Sequence, residues 1–217
     1  MPLHPRLPLR LAWSLPDAAG KAKPPAAPSF EDFVDVSRLI ARRRSSSQQQ
    51  ATVGRVLDSL LPPFAPTMFR VLFPFRQWSA ELNAQITKVG FAWLVGPMEI
   101  TEHEVEFRGE TQTWRSGVKI ERCRYLEGSG CVGMCTNMCK MPTQRFFTET
   151  FGIPLTMDPN FEDLSCQCVF GAEPPPLPED RCYSQPCFTQ QCNMAVPSGP
   201  CPKTDTARAS GTQLRST

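Results

Sequence analysis

The sequence predicts an α+β fold, with a mainly helical N-terminal half packed on a small cysteine-rich region with short strands. Three observations carry that expectation. Apolar residues recur at helical spacing from Phe30 to Leu94. The pattern changes to apolar–polar alternation after Met98, the signature of half-buried strands. All 10 cysteines lie from Cys123 onward, so the second half is built on different chemistry.

The elements follow in chain order. Residues 1–28 are rich in Pro and Ala, and Arg6, Arg10, Lys21 and Lys23 face only Asp17 there. This acid-poor, basic stretch lacks the apolar core of a secretory signal and reads as a disordered leader of the organelle-transit type. Ser29 with Asp32 forms a capping-box pattern, and Phe30, Phe33, Val34 and Ile40 make the apolar stripe of a first helix. Arg42, Arg43 and Arg44 suit its C-terminal end. Ser45 to Gln50 reads as a polar linker. A second helix is expected from Gln50 to Leu61, ended by Pro62 and Pro63. Further helix is expected over Thr67–Phe73 and Arg76–Leu94, a stretch carrying Phe69, Phe73, Phe75, Trp78, Phe91 and Trp93. Gly96 and Pro97 break it, closing a helical region over 29–97. Residues 98–120 predict two strands with a turn near Gly109. The cysteine-rich region spans 98–193, with "EPPPLPED" at 173–180 as an extended linker. Residues 194–217 read as a disordered tail.

Bulk properties narrow the function classes. The chain has 217 residues, 41% hydrophobic and 20% charged, enough for a packed core. A net charge of +2 gives no argument for nucleic acid. No apolar run reaches the roughly 18 residues of a membrane-spanning helix. No phosphate loop, dinucleotide fingerprint or nucleophile elbow is present.

The cysteines carry the most specific signal. Cys131, Cys135 and Cys139 recur every four residues. On one unbroken helix the outer two would stand about 12 Å apart along the axis. With metal–sulfur bonds of about 2.3 Å, one ion cannot reach both. Either two of the three act together, or the segment is not all helix. Gly128, Gly130 and Gly133 favour the second arrangement, with a helix starting near Met134. Cys166 and Cys168, two apart in an expected strand, point to one side, and either could supply a fourth thiolate. Cys187 and Cys192 could approach from the last ordered segment. Metal or cluster binding, structural thiols and thiol redox chemistry all remain compatible with this spacing. Histidine is scarce: His4 lies in the leader and His103 in a strand, so iron would lean on thiolates, on carboxylates such as Glu162 and Asp163, or on backbone. Met134, Met138 and Met141 share a helical stripe that serves either as core or as the wall of a lipid-binding site.

The segment "CRYLEGSGCVGMCTNMCKMPTQRFFTETFGIPLTMDPNFEDLSCQCVFG" resembles the C-terminal domain of the plastid β-carotene isomerases of strigolactone biosynthesis, the Dwarf-27-like proteins. "DFVDVSRLIARR", "VLDSLLPP" and "WLVGP" are similar to that family as well. The resemblance covers about Ser29 to Cys192. It implies an iron-containing enzyme of the chloroplast that interconverts all-trans- and 9-cis-β-carotene. It implies metal ligands among Cys131, Cys135, Cys139 and Cys166, with Cys123, Cys187 and Cys192 also at family cysteine positions. Cys168, Cys182 and Cys201 depart from the pattern, and Lys119 stands where plant members carry histidine. The alternative is a non-catalytic iron–sulfur or thiol-redox protein of the plastid. The implied partner is a hydrophobic carotenoid, with peripheral membrane contact where such a substrate resides.

Overall fold

Residues 29–188 and Lys203 are described by the computed structural model. The leader, Cys192, Cys201 and the tail expected at 194–217 lie outside the described residues, Lys203 excepted.

Ser29 opens the first helix, α1 (Phe30–Arg43), through the expected capping box: its hydroxyl accepts from Asp32 N–H, and the Asp32 carboxylate accepts from Ser29 N–H. The second helix, α2 (Ser46–Ser59), begins earlier than the sequence reading placed it. Ser45 and Gln48 form a second capping box, so the expected polar linker is the first turn of α2. Gln49 then reaches back with its amide nitrogen to the carbonyls of Ala41 and Arg44, fixing α2 against the end of α1.

Two helices follow, α3 (Ala65–Leu72) and α4 (Gln77–Gly90), and a single turn, α5 (Ala92–Val95). The one helix expected over Arg76–Leu94 is therefore interrupted at Phe91. The buried face of α4 is Ser79, Ala80, Asn83 and Ala84, small side chains that let the helix lie close on the sheet.

The sheet starts with the hairpin of β1 (Met98–Phe107) and β2 (Glu110–Ile120). Arg108 (φ 57°) and Gly109 (φ 81°) both take the left-handed conformation, as a two-residue hairpin turn of matching twist requires. After β2 come α6 (Arg124–Ser129) and a continuous helical rod over 132–151, here called the central helix. Next are β3 (Leu155–Pro159) and β4 (Cys166–Phe170), then a 3-10 turn (Leu177–Glu179) and α7 (Arg181–Ser184). The sheet order is β1-β2-β4-β3, all antiparallel. The chain is thus α+β, as the sequence reading expected, and one hydrophobic core runs through both halves from Val34 to Cys182. Among the described residues no helix is long and apolar enough to cross a membrane.

The central helix is not regular. Cys135–Lys140 and Phe146–Phe151 are π-helical, separated by the α-helical Met141–Arg145. Pro142 explains the first widening. It has no N–H to give and its ring would collide with the carbonyl four residues earlier, so the preceding turn opens. The Thr136 hydroxyl also bonds the Val132 carbonyl at 2.9 Å, competing with the regular ladder.

Candidate functional site

The inner face of the sheet, the central helix and α1, α2 and α4–α5 line one apolar cavity of about 200 Å³, open at its mouth. The side chains from the helices include Phe33, Ile40, Val56, Leu57, Phe91 and Trp93. The sheet contributes Met98, Ile120, Leu155, Met157, Cys168 and Phe170, and the central helix contributes Met138, Cys139, Thr143 and Phe147. None of the residues that line it is Asp, Glu, Lys, Arg or His. Two hydroxyls in the wall are occupied: Ser37 donates to the Phe33 carbonyl at 2.9 Å, and Thr52 to the Gln48 carbonyl at 2.7 Å. The reactive groups facing the cavity are the thiols of Cys139 and Cys168 and the phenol of Tyr125. Burial pushes the Tyr125 phenol far above its ordinary range, with a smaller opposing effect from its hydrogen bond with Ser37. It keeps its proton at any physiological pH.

Behind this wall the thiols gather. Cys131 stands outside the central helix in extended conformation (φ −141°, ψ 116°), because Gly130 has turned the chain through the left-handed region. The helix begins at Val132, two residues before the expected start, and only Cys135 and Cys139 ride on it. Cys166 and Cys168 lie on β4 opposite Ile120 and Val118 of β2, on the sheet face that meets the core, with their sulfurs 4.0 Å apart. Cys135 is held well above the usual thiol range, first by burial and then by neighbouring Cys139, Cys166, Cys182 and Cys123. Cys139 is raised by burial and by Cys123 and Cys166, and Cys123 is pushed up to about 11, chiefly by burial. The Cys166 thiol rises through its hydrogen bond with Cys168 and then through burial. Cys123, Cys135, Cys139 and Cys166 therefore form one neighbourhood of protonated thiols in a low-dielectric interior.

Among the described residues no group of three or more His, Cys, Asp or Glu side chains stands at metal-ligand spacing. The donor chemistry nevertheless suits a thiophilic ion: several soft sulfurs, no competing cation on the cavity wall, and buried thiols that would give up their protons on binding a cation. Glu162 and Asp163 are exposed at the edge of this region, and Asp163 is engaged with Ser165 N–H. His103 packs over Gly117 on the hairpin and bonds Thr101 at 3.1 Å. Lys119 alternates with Val118 and Ile120 and so lies on the opposite sheet face from Cys166 and Cys168, ion-paired with Glu121 at 2.7 Å. A residue at 119 does not point at the thiols.

The most informative match to known proteins falls on this same core. Residues 93–179 match the family described as "Beta-carotene isomerase D27-like, C-terminal". The chain is 42% identical over 178 residues to a chloroplastic beta-carotene isomerase D27 of Arabidopsis thaliana, covering 82% of this chain and 66% of that protein. The chain belongs to the D27-like family. A chloroplastic beta-carotene isomerase D27 of Medicago truncatula is 38% identical over 159 residues, 73% of this chain and 62% of that protein. The chain thus spans just under two thirds of the length of these two relatives. No solved structure matches it.

Within this D27-like chain, the sequence pattern offered Cys168 as an alternative fourth thiolate but did not single out Cys182 or Tyr125 as site residues. Cys168 and Tyr125 face the cavity, and Cys182 is packed against the thiol group with no exposure. The alternation of "CQC" pointed to Cys168 as well as Cys166. Nothing in the local pattern around Tyr125 marked it, because its position depends on where α6 docks.

Proposed function

We propose that this chain is a carotenoid cis/trans isomerase of the chloroplast, interconverting all-trans- and 9-cis-β-carotene. The observation that carries it is the cavity: apolar, free of charged side chains, and walled at one place by thiols. A carotene has no heteroatom to hydrogen-bond, so only shape and apolar contact can bind it. Charged groups would add desolvation cost without any return. The names of the two relatives support the same substrate and compartment.

Rotation about a conjugated double bond requires its bond order to fall. Iron held by thiolates would supply the one-electron exchange that does this, with its potential tuned by burial. The proposed holders are Cys135, Cys139 and Cys166, with Cys131 or Cys123 as fourth donor. Closeness to Cys135, Cys139 and Cys166 supports Cys123. Cys139 belongs both to the thiol group and to the cavity wall, so it joins donor site and substrate. The surrounding residues position the polyene and exclude water: Phe147 and Phe170 offer ring edges and faces 5.1 Å apart, and Met138 supplies an adaptable wall.

Anaerobic purification with iron and sulfide counts, followed by incubation with all-trans-β-carotene in the dark, tests this. Iron together with conversion to a cis isomer is expected. Cys135→Ser should remove both, and of Cys123→Ser and Cys131→Ser only one should lower iron content. Conversion that survives complete iron removal overturns the iron assignment, and iron without conversion of any carotenoid overturns the isomerase. That second outcome would favour a thiol-redox protein, to which the Cys166–Cys168 pair at 4.0 Å also lends itself.

A further inference from the structure

Two helices of this chain wear their apolar residues on the outside. On α3 no residue is buried, and Phe64, Met68, Val71 and Leu72 repeat at helical spacing along its exposed side. On α4 the inner face is small and partly polar, whereas Trp78, Leu82, Ile86 and Val89 form a stripe pointing away from it. Val71 is 75% exposed and Val89 is 82% exposed. Scattered exposed apolar residues are ordinary, but two adjoining stripes of this length mark a surface that something covers.

The face is pinned rather than loose. The Arg70 guanidinium donates to the carbonyls of Thr150 and Glu149, and Phe69 stacks on Phe151 with centroids 4.2 Å apart. The inward contacts of α3 therefore hold its apolar side outward. The surface is also continuous with the cavity. Leu60 and Phe91 line the cavity and are themselves exposed, at the end of α2 and the junction of α4 with α5. Charge decides the kind of partner. Between Ser59 and Met98 the charged residues are Arg70, Arg76, Glu81 and Lys88. Glu81 is turned to the sheet, where it accepts from the backbone N–H of Arg115 at 3.0 Å. Among the described residues no acid pairs with Arg76 or Lys88. An apolar strip with cations at its border complements an anionic lipid surface.

We propose that α3 and α4 dock this chain on the surface of a bilayer containing anionic lipid, with the cavity mouth at Leu60 and Phe91 opening into the acyl region. The choice of a bilayer rests on reading the cavity as a hydrocarbon site. A carotene would then pass from membrane to cavity without crossing water.

The test is flotation of the full chain with vesicles of phosphatidylcholine, alone and mixed with phosphatidylglycerol. Size-exclusion chromatography is run in parallel. The chain is expected to float with both, more strongly with the mixture, and less at raised ionic strength. The double variant Val71→Glu, Val89→Glu lies outside the cavity wall and should keep the native unfolding midpoint. Its partition onto vesicles should fall by about tenfold or more. It should still convert detergent-dispersed carotene while losing conversion of vesicle-embedded carotene. A native chain that stays in solution with both vesicle types overturns the proposal. So does a dimer that the double variant splits without any flotation, which would make this face an interface between copies. Flotation without conversion of carotene in either form upholds docking and overturns the isomerase reading. Conversion in detergent without flotation does the reverse.

Discussion

Lys140 sits on the central helix with 2% of its surface exposed, a position that water would ordinarily have to compensate. Its ammonium meets Asp180 at 2.6 Å and the Cys182 sulfur at 3.4 Å. Burial works against the Lys140 charge, but Cys182 and the Asp180 contacts outweigh it and its pKa is raised. Cys182 is pushed up to about 12, chiefly by burial, so the thiol stays protonated and Asp180 carries the pairing. The Asp180 carboxylate also accepts from Cys182 N–H at 3.0 Å, capping α7. This one buried pair ties the segment after the proline-rich stretch to the helix bearing Cys135 and Cys139. Lys140→Met should therefore lower stability by about 3–5 kcal/mol, because it strands a buried carboxylate. Adding Asp180→Asn keeps the cap and removes the charge, and should recover about 2 kcal/mol of that loss. Urea unfolding of the two variants checks both figures. Equal stability of the single and double variants would deny the pair this role.

At the scale of elements, the hairpin and the central helix decide what the cavity receives. Thr101 and His103 flank the irregularity where β1 slips against β2, and Gly117 lies beneath them. A β-carbon at 117 would fall 2.3 Å from both His103 and Thr101 side chains. Gly117→Ala should cost about 1–3 kcal/mol, through displacement of the His103 ring and of the strand that carries Val118 and Ile120. A thermal midpoint unchanged from the native chain would show that the bulge absorbs the methyl freely. The central helix acts differently. Its π-helical turn over Cys135–Lys140 contains Cys135, Met138 and Cys139, the residues that link thiol group and cavity. The local reason is Pro142, and the consequence is a widened turn at the place where the donors and the substrate wall meet.

At the scale of the molecule, the cavity is the feature that no single element owns. Filling it from one side is the direct check on its use. Val56 of α2 lines the open space. Val56→Trp should change stability by no more than about 1 kcal/mol, since the indole enters a void rather than a packed core. It should weaken carotene binding by about tenfold, equivalent to roughly 1.4 kcal/mol. Quenching of protein fluorescence by carotene, read beside the isomer ratio, measures both. Undiminished binding would place the substrate elsewhere. The aromatic stretch from Phe69 to Trp93 is divided by the fold: Phe91 and Trp93 face the cavity, Phe69 and Phe73 pack against each other, and Phe75 packs on Phe107 and Trp114. Of the methionine stripe, Met138 faces the cavity while Met134 is core.

Sequence alone determined the start of the first helix at the Ser29 capping box, the hairpin turned at Gly109, the α+β class and the family's long cysteine motif, because each of these depends on neighbours within a few residues. The interruption at Phe91 and the π-helical turns were less legible, since they record packing and a proline's demand on an earlier carbonyl, whereas the start of α2 was written locally in Ser45 and Gln48, though that stretch reads as linker. Only the tertiary structure decided that Cys123 and Cys182 come near Cys135, that Lys119 faces away from the thiols, and that Tyr125 looks into the cavity. It also turned the apolar stripes of α3 and α4 outward. Periodicity fixes which residues share a face of a helix, but which way that face looks is set by where the helix docks, and docking is a property of the whole chain.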